Sequence, residues 1–201
     1  HYNLGCVLQE LGRVTEAEAC YREAIVMKPD YAEAYCNLGV ALLDAGKLPE
    51  AEESCRHAIS FSPGNPEAHC NLGNVLKDLG KLEEAEASYR QAVIANPEFV
   101  AAHSNLGVTL EELDKPEEAE KSYRQAISID PEFEEAHYNL GNILRARGDC
   151  AEAEDAYRKA LAEKSDFCEA YSKLGLTLYE LGRLEEAQDS FSSATMLRPD
   201  D

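Results

Sequence analysis

Basic residues are scarce in this chain. Lys and Arg number 19 against 39 Asp and Glu, for a net charge of −20. Binding to nucleic-acid phosphates needs clustered cations, so no nucleic-acid partner is expected. An anionic membrane surface is disfavoured for the same reason. No apolar run approaches the roughly 20 residues of a membrane span, and these 201 residues contain no secretory signal, which leaves secretion of a longer parent chain open. The seven cysteines include no CxxC pair and no Cys/His pair at zinc spacing. Cys36 and Cys70 share one phase, but neighbouring helices lie roughly 8–10 Å apart, beyond the roughly 7 Å Cα limit for a disulfide. These absences lead us to expect small packed thiols, no metal, no cofactor and a reducing, cytoplasmic setting. There is also no initiator Met, and His1 falls where a helix should already be running, so the chain reads as an ordered piece of a longer protein.

What is present is a period. Gly5, Gly39, Gly73, Gly107, Gly141 and Gly175 are each 34 residues apart, and each follows a leucine. Ala17, Ala51, Ala85, Ala119, Ala153 and Ala187 hold a second phase; Ala24, Ala58, Ala92, Ala126, Ala160 and Ala194 hold a third. Tyr21, Tyr89, Tyr123, Tyr157 and Phe191 precede the third set, with Cys55 the exception. A fixed period of this length signals a repeat array rather than one globular core. The array is read as a single domain over 1–201, with repeats at 1–31 (partial), 32–65, 66–99, 100–133, 134–167 and 168–201.

Each repeat reads as two helices. Apolar residues recur at three- and four-residue steps, as in Leu72, Val75, Leu76 and Leu79. Gly12, Gly46, Gly80, Gly148 and Gly182 sit where a first helix should stop, and Asp114 takes that place in repeat four. Pro49 and Pro116 suit the first turn of a second helix. Pro29, Pro63, Pro97, Pro131 and Pro199 end one; Ser165 replaces proline in repeat five, where a looser exit is expected. A mid-helix glycine costs roughly 1 kcal/mol relative to alanine. Close approach of the paired helices would offset that cost, with glycine opposite alanine and Tyr and Leu at the flanks. One hairpin cannot bury such a stripe; stacked neighbours can.

The spacing of an aromatic or His, then Leu-Gly, Ala, Tyr, Ala and Pro, resembles the tetratricopeptide repeat, and all six units match. The resemblance implies an all-α fold, a right-handed α-α superhelix of helix–turn–helix repeats, with the first helices lining a concave groove. It implies a non-enzymatic protein-protein interaction scaffold holding an extended peptide or partner protein. The first-helix aromatic is Tyr35 and Tyr171 here, and His1, His69, His103 and His137 elsewhere. Those histidines lie about one repeat apart, too far to share a metal ion, and read as packing residues.

No phosphate loop or catalytic constellation is present; the many carboxylates, Glu83-Glu84 and Glu117-Glu118 among them, read as solvated faces. A binding site is legible. Asn3, Asn37, Asn71, Asn105 and Asn139 occupy one first-helix phase, with Lys173 in that place in repeat six. Asparagine is a middling helix former, and its amide offers donors and an acceptor to a peptide backbone. The alternative is that these amides tie adjacent first helices together. The series resembles the asparagine ladder of the O-linked N-acetylglucosamine transferase repeats; chaperone-tail clamps are also similar, but the basic partners they need are missing here.

Asn74 and Asn142 lie one step on, followed by the row Lys77, Glu111, Arg145 and Tyr179. Glu10, Asp44, Asp78, Glu112 and Glu180 then form an acidic rim, which suggests a ligand carrying Lys or Arg. Two further readings stay open: the substrate-recruiting arm of a larger enzyme such as a glycosyltransferase, and end-to-end self-association through Phe191, Met196 and Leu197.

Overall fold

The computed structural model describes residues 1–198; Pro199, expected to end the last helix, lies outside them. Among the described residues there are twelve α-helices and no strands. The chain divides into two compact units, His1–Leu113 and Asp114–Asp201. The first contains α1 (Tyr2–Glu10), α2 (Val14–Met27), α3 (Ala32–Asp44), α4 (Leu48–Phe61), α5 (Pro66–Asp78), α6 (Leu82–Ala95) and α7 (Val100–Glu112). The second contains α8 (Pro116–Ile129), α9 (Glu134–Arg147), α10 (Cys150–Glu163), α11 (Cys168–Glu180) and α12 (Leu184–Leu197).

In the first unit α1–α2, α3–α4 and α5–α6 are hairpins, and each second helix packs on the first helix of the following repeat. The first helices α1, α3, α5 and α7 therefore lie side by side. In the second unit α9–α10 and α11–α12 are hairpins, α9 neighbours α11, and α8 and α10 pack on α9 and α11.

The chain reverses direction in the same way at each hairpin. Gly12, Gly46, Gly80, Gly148 and Gly182 adopt φ between 71° and 92°, and Asp114 adopts 57°. The residue after the glycine donates its N–H back five residues, as Arg13 to the Leu8 carbonyl at 2.8 Å and Lys81 to that of Leu76 at 2.8 Å. That bond is the Schellman closure, and it requires a left-handed residue at the glycine. The accepting leucines are core residues: Leu42, Leu76, Leu144 and Leu178 are fully buried. Ser165 brings no loosening of the backbone. Lys164 keeps the extended dihedrals of the other exits, and Phe167 N–H still reaches the Lys164 carbonyl at 3.2 Å. The turn is held by that main-chain bond, which does not depend on the missing proline.

The mid-helix glycines face rings, not alanines. A Cβ on Gly5, Gly73 or Gly141 would lie 2.6 Å from Cε1 of Tyr21, Tyr89 or Tyr157, and one on Gly175 2.7 Å from Phe191. In repeat two a Cβ on Gly39 would meet the Cys55 sulfur at 2.5 Å. The tyrosines are completely buried, so each glycine is the floor of an aromatic slot. The packing histidines also have a partner. Nε2 of His69, His103 and His137 lies 2.8, 3.0 and 2.8 Å from the carbonyl of Pro63, Pro97 and Pro131. Each ring latches the loop that enters its own helix.

Candidate functional site

The second helices carry an ion-pair lattice. Glu52 accepts from Arg56 one turn on (2.8 Å) and from Lys81 of the next repeat (2.8 Å), while Arg56 reaches Glu84 at 3.1 Å. Glu18, Arg22, Lys47 and Glu50 repeat the arrangement, as do Glu154, Arg158, Arg183 and Glu186 in the second unit. Repeat five carries Asp149 where lysine or arginine stands elsewhere; Arg147 takes over, donating to Glu120 at 2.6 Å and also pairing with Asp149. Glu83, Glu84, Glu117 and Glu118 are exposed, as expected from sequence, but the carboxylate that bridges two cations is not: the Glu52 side chain is 17% exposed. The Lys81 ammonium holds the Glu52 carboxyl below the usual range. At Glu18 and Glu120 burial pushes upward, but the paired cations outweigh it and the net shift is down.

The first helices are different. In the first unit Asn3, Asn37, Asn71 and Asn105 fall at equivalent points of α1, α3, α5 and α7. Asn37 Nδ2 donates to the Tyr2 hydroxyl (3.2 Å) and Cys6 sulfur (3.5 Å), and Asn71 Nδ2 to the Cys36 sulfur (3.2 Å). Asn105 Nδ2 donates to Asn74 Oδ1 at 3.0 Å, with the Cys70 sulfur at 4.0 Å. The amide nitrogens thus tie each first helix to the one before it. The Oδ1 atoms of Asn37, Asn71 and Asn105 accept no hydrogen bond among the described residues. Burial pushes the Cys36 and Cys70 thiols up to about 11, partly offset by the amide donors, so both stay protonated at neutral pH.

Asn74 and Asn142 serve the aromatic slot. Their Oδ1 atoms accept the hydroxyls of Tyr89 (2.7 Å) and Tyr157 (2.9 Å), as Gln9 accepts that of Tyr21 (2.8 Å). Where the ring position lacks a hydroxyl the acceptor is also gone: Cys55 goes with Val40, and Phe191 with Leu176. Burial raises the Tyr89 and Tyr157 hydroxyls well above their ordinary range.

The next row is mixed. Lys77 is half-buried without an ion pair among the described residues, Glu111 is exposed, and Tyr179 is exposed on α11. Arg145 Nη1 donates to Glu180 at 2.8 Å, while its Nε is buried with no partner among the described residues. Asn139 and Lys173 lie on α9 and α11 of the second unit, both half-buried. Lys173 lines a cleft of about 310 Å³ with Tyr138, Ser172 and Arg198. Glu10, Asp44, Asp78 and Glu112 are exposed at the ends of α1, α3, α5 and α7, with no ion pair among the described residues. In the described residues no three of His, Cys, Asp and Glu gather as a metal site, and no helix is long and apolar enough to cross a membrane.

The tetratricopeptide repeat model matches residues 2–66, 70–132, 110–167 and 138–201. The chain belongs to the tetratricopeptide repeat family. Among solved structures, this tetratricopeptide chain is similar to MamA at 25% identity, covering 81% of this chain and 95% of MamA with a TM-score of 0.74. YrrB, a tetratricopeptide protein with an unusual peptide-binding site, matches at 22% identity over 90% of this chain and 93% of its own, with a TM-score of 0.72. PilF of Pseudomonas aeruginosa aligns over 100% of this chain and 91% of its own at 18% identity, with a TM-score of 0.91. No curated protein matches the chain.

Two features of this tetratricopeptide chain went unread in the sequence: the second-helix lattice and the tyrosine–amide pairs. Both had a signal. Glu18, Glu52, Glu86, Glu120 and Glu154 recur with an arginine four residues on, and Val40 and Leu176 change together with Cys55 and Phe191, with Val108 beside Tyr123 the exception.

Proposed function

We propose that this chain is a protein-interaction scaffold that holds an extended peptide along its first-helix face. The observation that carries this reading is the row of unpartnered Oδ1 atoms on Asn37, Asn71 and Asn105 beside the unpaired carboxylates of Glu10, Asp44, Asp78 and Glu112. The carbonyls suit backbone N–H donors, and the acidic rim suits Lys or Arg side chains of the ligand. With helices about 9–10 Å apart and a strand rising about 3.3 Å per residue, one amide meets roughly every third ligand residue. In the first unit Lys77 and Glu111 add side-chain selectivity, and Asn74 acts behind them, holding Tyr89; in the second unit Asn139, Lys173, Arg145 and Tyr179 would serve a ligand on its own first helices, with Asn142 holding Tyr157. The role proposed is binding rather than catalysis. Seven free thiols fit a reducing, cytoplasmic setting.

A second reading, the substrate-recruiting arm of a larger enzyme, draws on the asparagine series alone through its likeness to the glycosyltransferase ladder. Both readings place the ligand on the same face. Selection from a displayed random-peptide library tests it, with wild type beside Asn71→Ala and Asn105→Ala. Each lost backbone contact costs about 1 kcal/mol, so the double variant should hold selected peptides about tenfold or more weakly. Undiminished binding by a folded double variant would remove the amides from the site.

A further inference from the structure

The first-helix aromatic position is used in two ways within the first unit. In repeat two Tyr35 lays its ring on His57 of its own second helix, with centroids 5.1 Å apart, and on Phe61 at 5.7 Å. In repeat three the places of Tyr35 and His57 are held by His69 and Gln91. The His69 ring turns to the Pro63 carbonyl instead, at 2.8 Å. Between α4 and α6, above the buried Leu72 of α5, a cleft of about 400 Å³ is left with His69 and Gln91 on its walls. Arg56 lines it too; its N–H groups go to Glu52 and Glu84, and a guanidinium engaged along its edge still stacks its flat face on an aromatic ring. The Ser60 and Ser88 hydroxyls donate to the carbonyls of His57 (2.7 Å) and Glu84 (2.9 Å), so towards the cleft they can only accept. The corresponding cleft of the second unit is smaller, about 250 Å³, and Asp155 and Lys159, paired at 2.8 Å, stand where Ala87 and Gln91 do.

We infer that the cleft between α4 and α6 is a docking site for a Trp or Tyr side chain of a partner protein, carried beside a Lys or Arg. An aromatic ring is what the chain itself places at this wall in repeat two, where Tyr35 meets His57. The space suffices, since a cavity of about 150 Å³ already takes a benzene ring. Arg56 offers a cation to the negative face of the ring. The spent hydroxyls call for a donor at the ring edge, which an indole N–H or phenol O–H supplies and phenylalanine does not. A second hollow of about 340 Å³ adjoins, sharing Arg56 and Ser60 and carrying Glu53, whose side chain is 75% exposed. That carboxylate complements a basic residue next to the ring, and a chain of net charge −20 draws such a segment in. The site opens between second helices and uses none of the amides of the first-helix face.

The chain contains no tryptophan, so the indole emission of a bound peptide is read without background. The probe is N-acetyl-Gly-Trp-Lys-Gly-amide, titrated with the whole chain, and the expected result is a saturable blue shift. Ala87→Gln, at an exposed position on the cleft wall, should weaken binding at least about tenfold. His69→Tyr combined with Gln91→His, which copies the filling of repeat two, should do the same; the circular-dichroism melt checks that both variants stay folded. Ser60→Ala should weaken the Trp peptide about three- to tenfold and leave its Phe analogue, read by competition, unchanged. Asn71→Ala with Asn105→Ala should leave the affinity where it is. Absence of a blue shift overturns the proposal. So does binding that survives Ala87→Gln, or binding lost with the two asparagines, which would put the peptide on the first-helix face.

Discussion

The two faces of the first unit use the same period to opposite ends. On the second helices Glu18, Arg22, Lys47 and Glu50 neutralise one another across the repeat boundary, and so do Glu52, Arg56, Lys81 and Glu84. On the first helices the amide nitrogens are used, while carbonyl oxygens and carboxylates are left over. One face is closed chemistry and holds the stack together; the other has valence to offer a ligand. Charge alone would not separate them, because both are rich in glutamate. What separates them is whether a cation stands at the complementary position one repeat away.

That contrast can be broken most severely beneath both faces, at the aromatic slots. Gly73→Ala places a methyl 2.6 Å from the fully buried Tyr89 ring, and overpacking of this kind costs about 1–3 kcal/mol. Gly39→Ala meets only the Cys55 thiol at 2.5 Å, a small side chain with one rotor. It should cost visibly less in a urea titration. Equal costs would show that the ring is not what the glycine accommodates.

Next in size is the lattice. Glu52→Gln removes the charge that both Lys81 and Arg56 face, and a loss of about 1–2 kcal/mol is expected for a pair of this partial burial. Asp78→Asn, on the open face, should leave the urea midpoint where it is. The same asymmetry sets the acid limb. Carboxyls held low in the folded state, Glu18, Glu52 and Glu120, lend stability that is complete above their unfolded pKa and is lost as pH falls through the folded one. Glu52→Gln should therefore flatten the decline in stability below about pH 4.5, the ordinary glutamate value.

Smaller effects sharpen the slot. Tyr157→Phe leaves Asn142 Oδ1 without its donor and should cost about 1 kcal/mol. Adding Asn142→Leu, which copies the Phe191 and Leu176 pair of repeat six, should restore most of it. A double-mutant cycle with no coupling would disconnect the two residues. At the alkaline end, thiols raised to about 11 contribute stability complete below pH 9, their ordinary value, and lost as pH rises through the raised one. Cys36→Ala should lessen that loss, read as the pH dependence of the urea midpoint.

The fold was legible because its signals are local. Leu-Gly spacing and left-handed stops act within a few residues and repeat six times, and the family model matches over the same stretches. Misreadings arose where one helix meets another. Sequence sets Gly73 against an alanine, whereas its neighbour is Tyr89, because periodicity gives a phase but not the angle at which two helices face. Asn74 and Asn71 look alike in sequence, yet one accepts a buried phenol and the other reaches a thiol on the preceding first helix. Ser165 was given a consequence that a main-chain bond prevents.

The boundary-spanning salt lattice also bears on how such a chain can change length. Excising residues 32–65 would bring Lys81 and Glu84 to the places now held by Lys47 and Glu50, and Glu18 and Arg22 would meet the same residue types as before. A cut of one whole period leaves no orphaned charge, whereas a cut of any other size leaves several. Gain and loss of whole units is thus electrostatically silent up to repeat five. At Gln188 and Ser192 the template ends, and copying past that point would start a series without complementary charges to meet it.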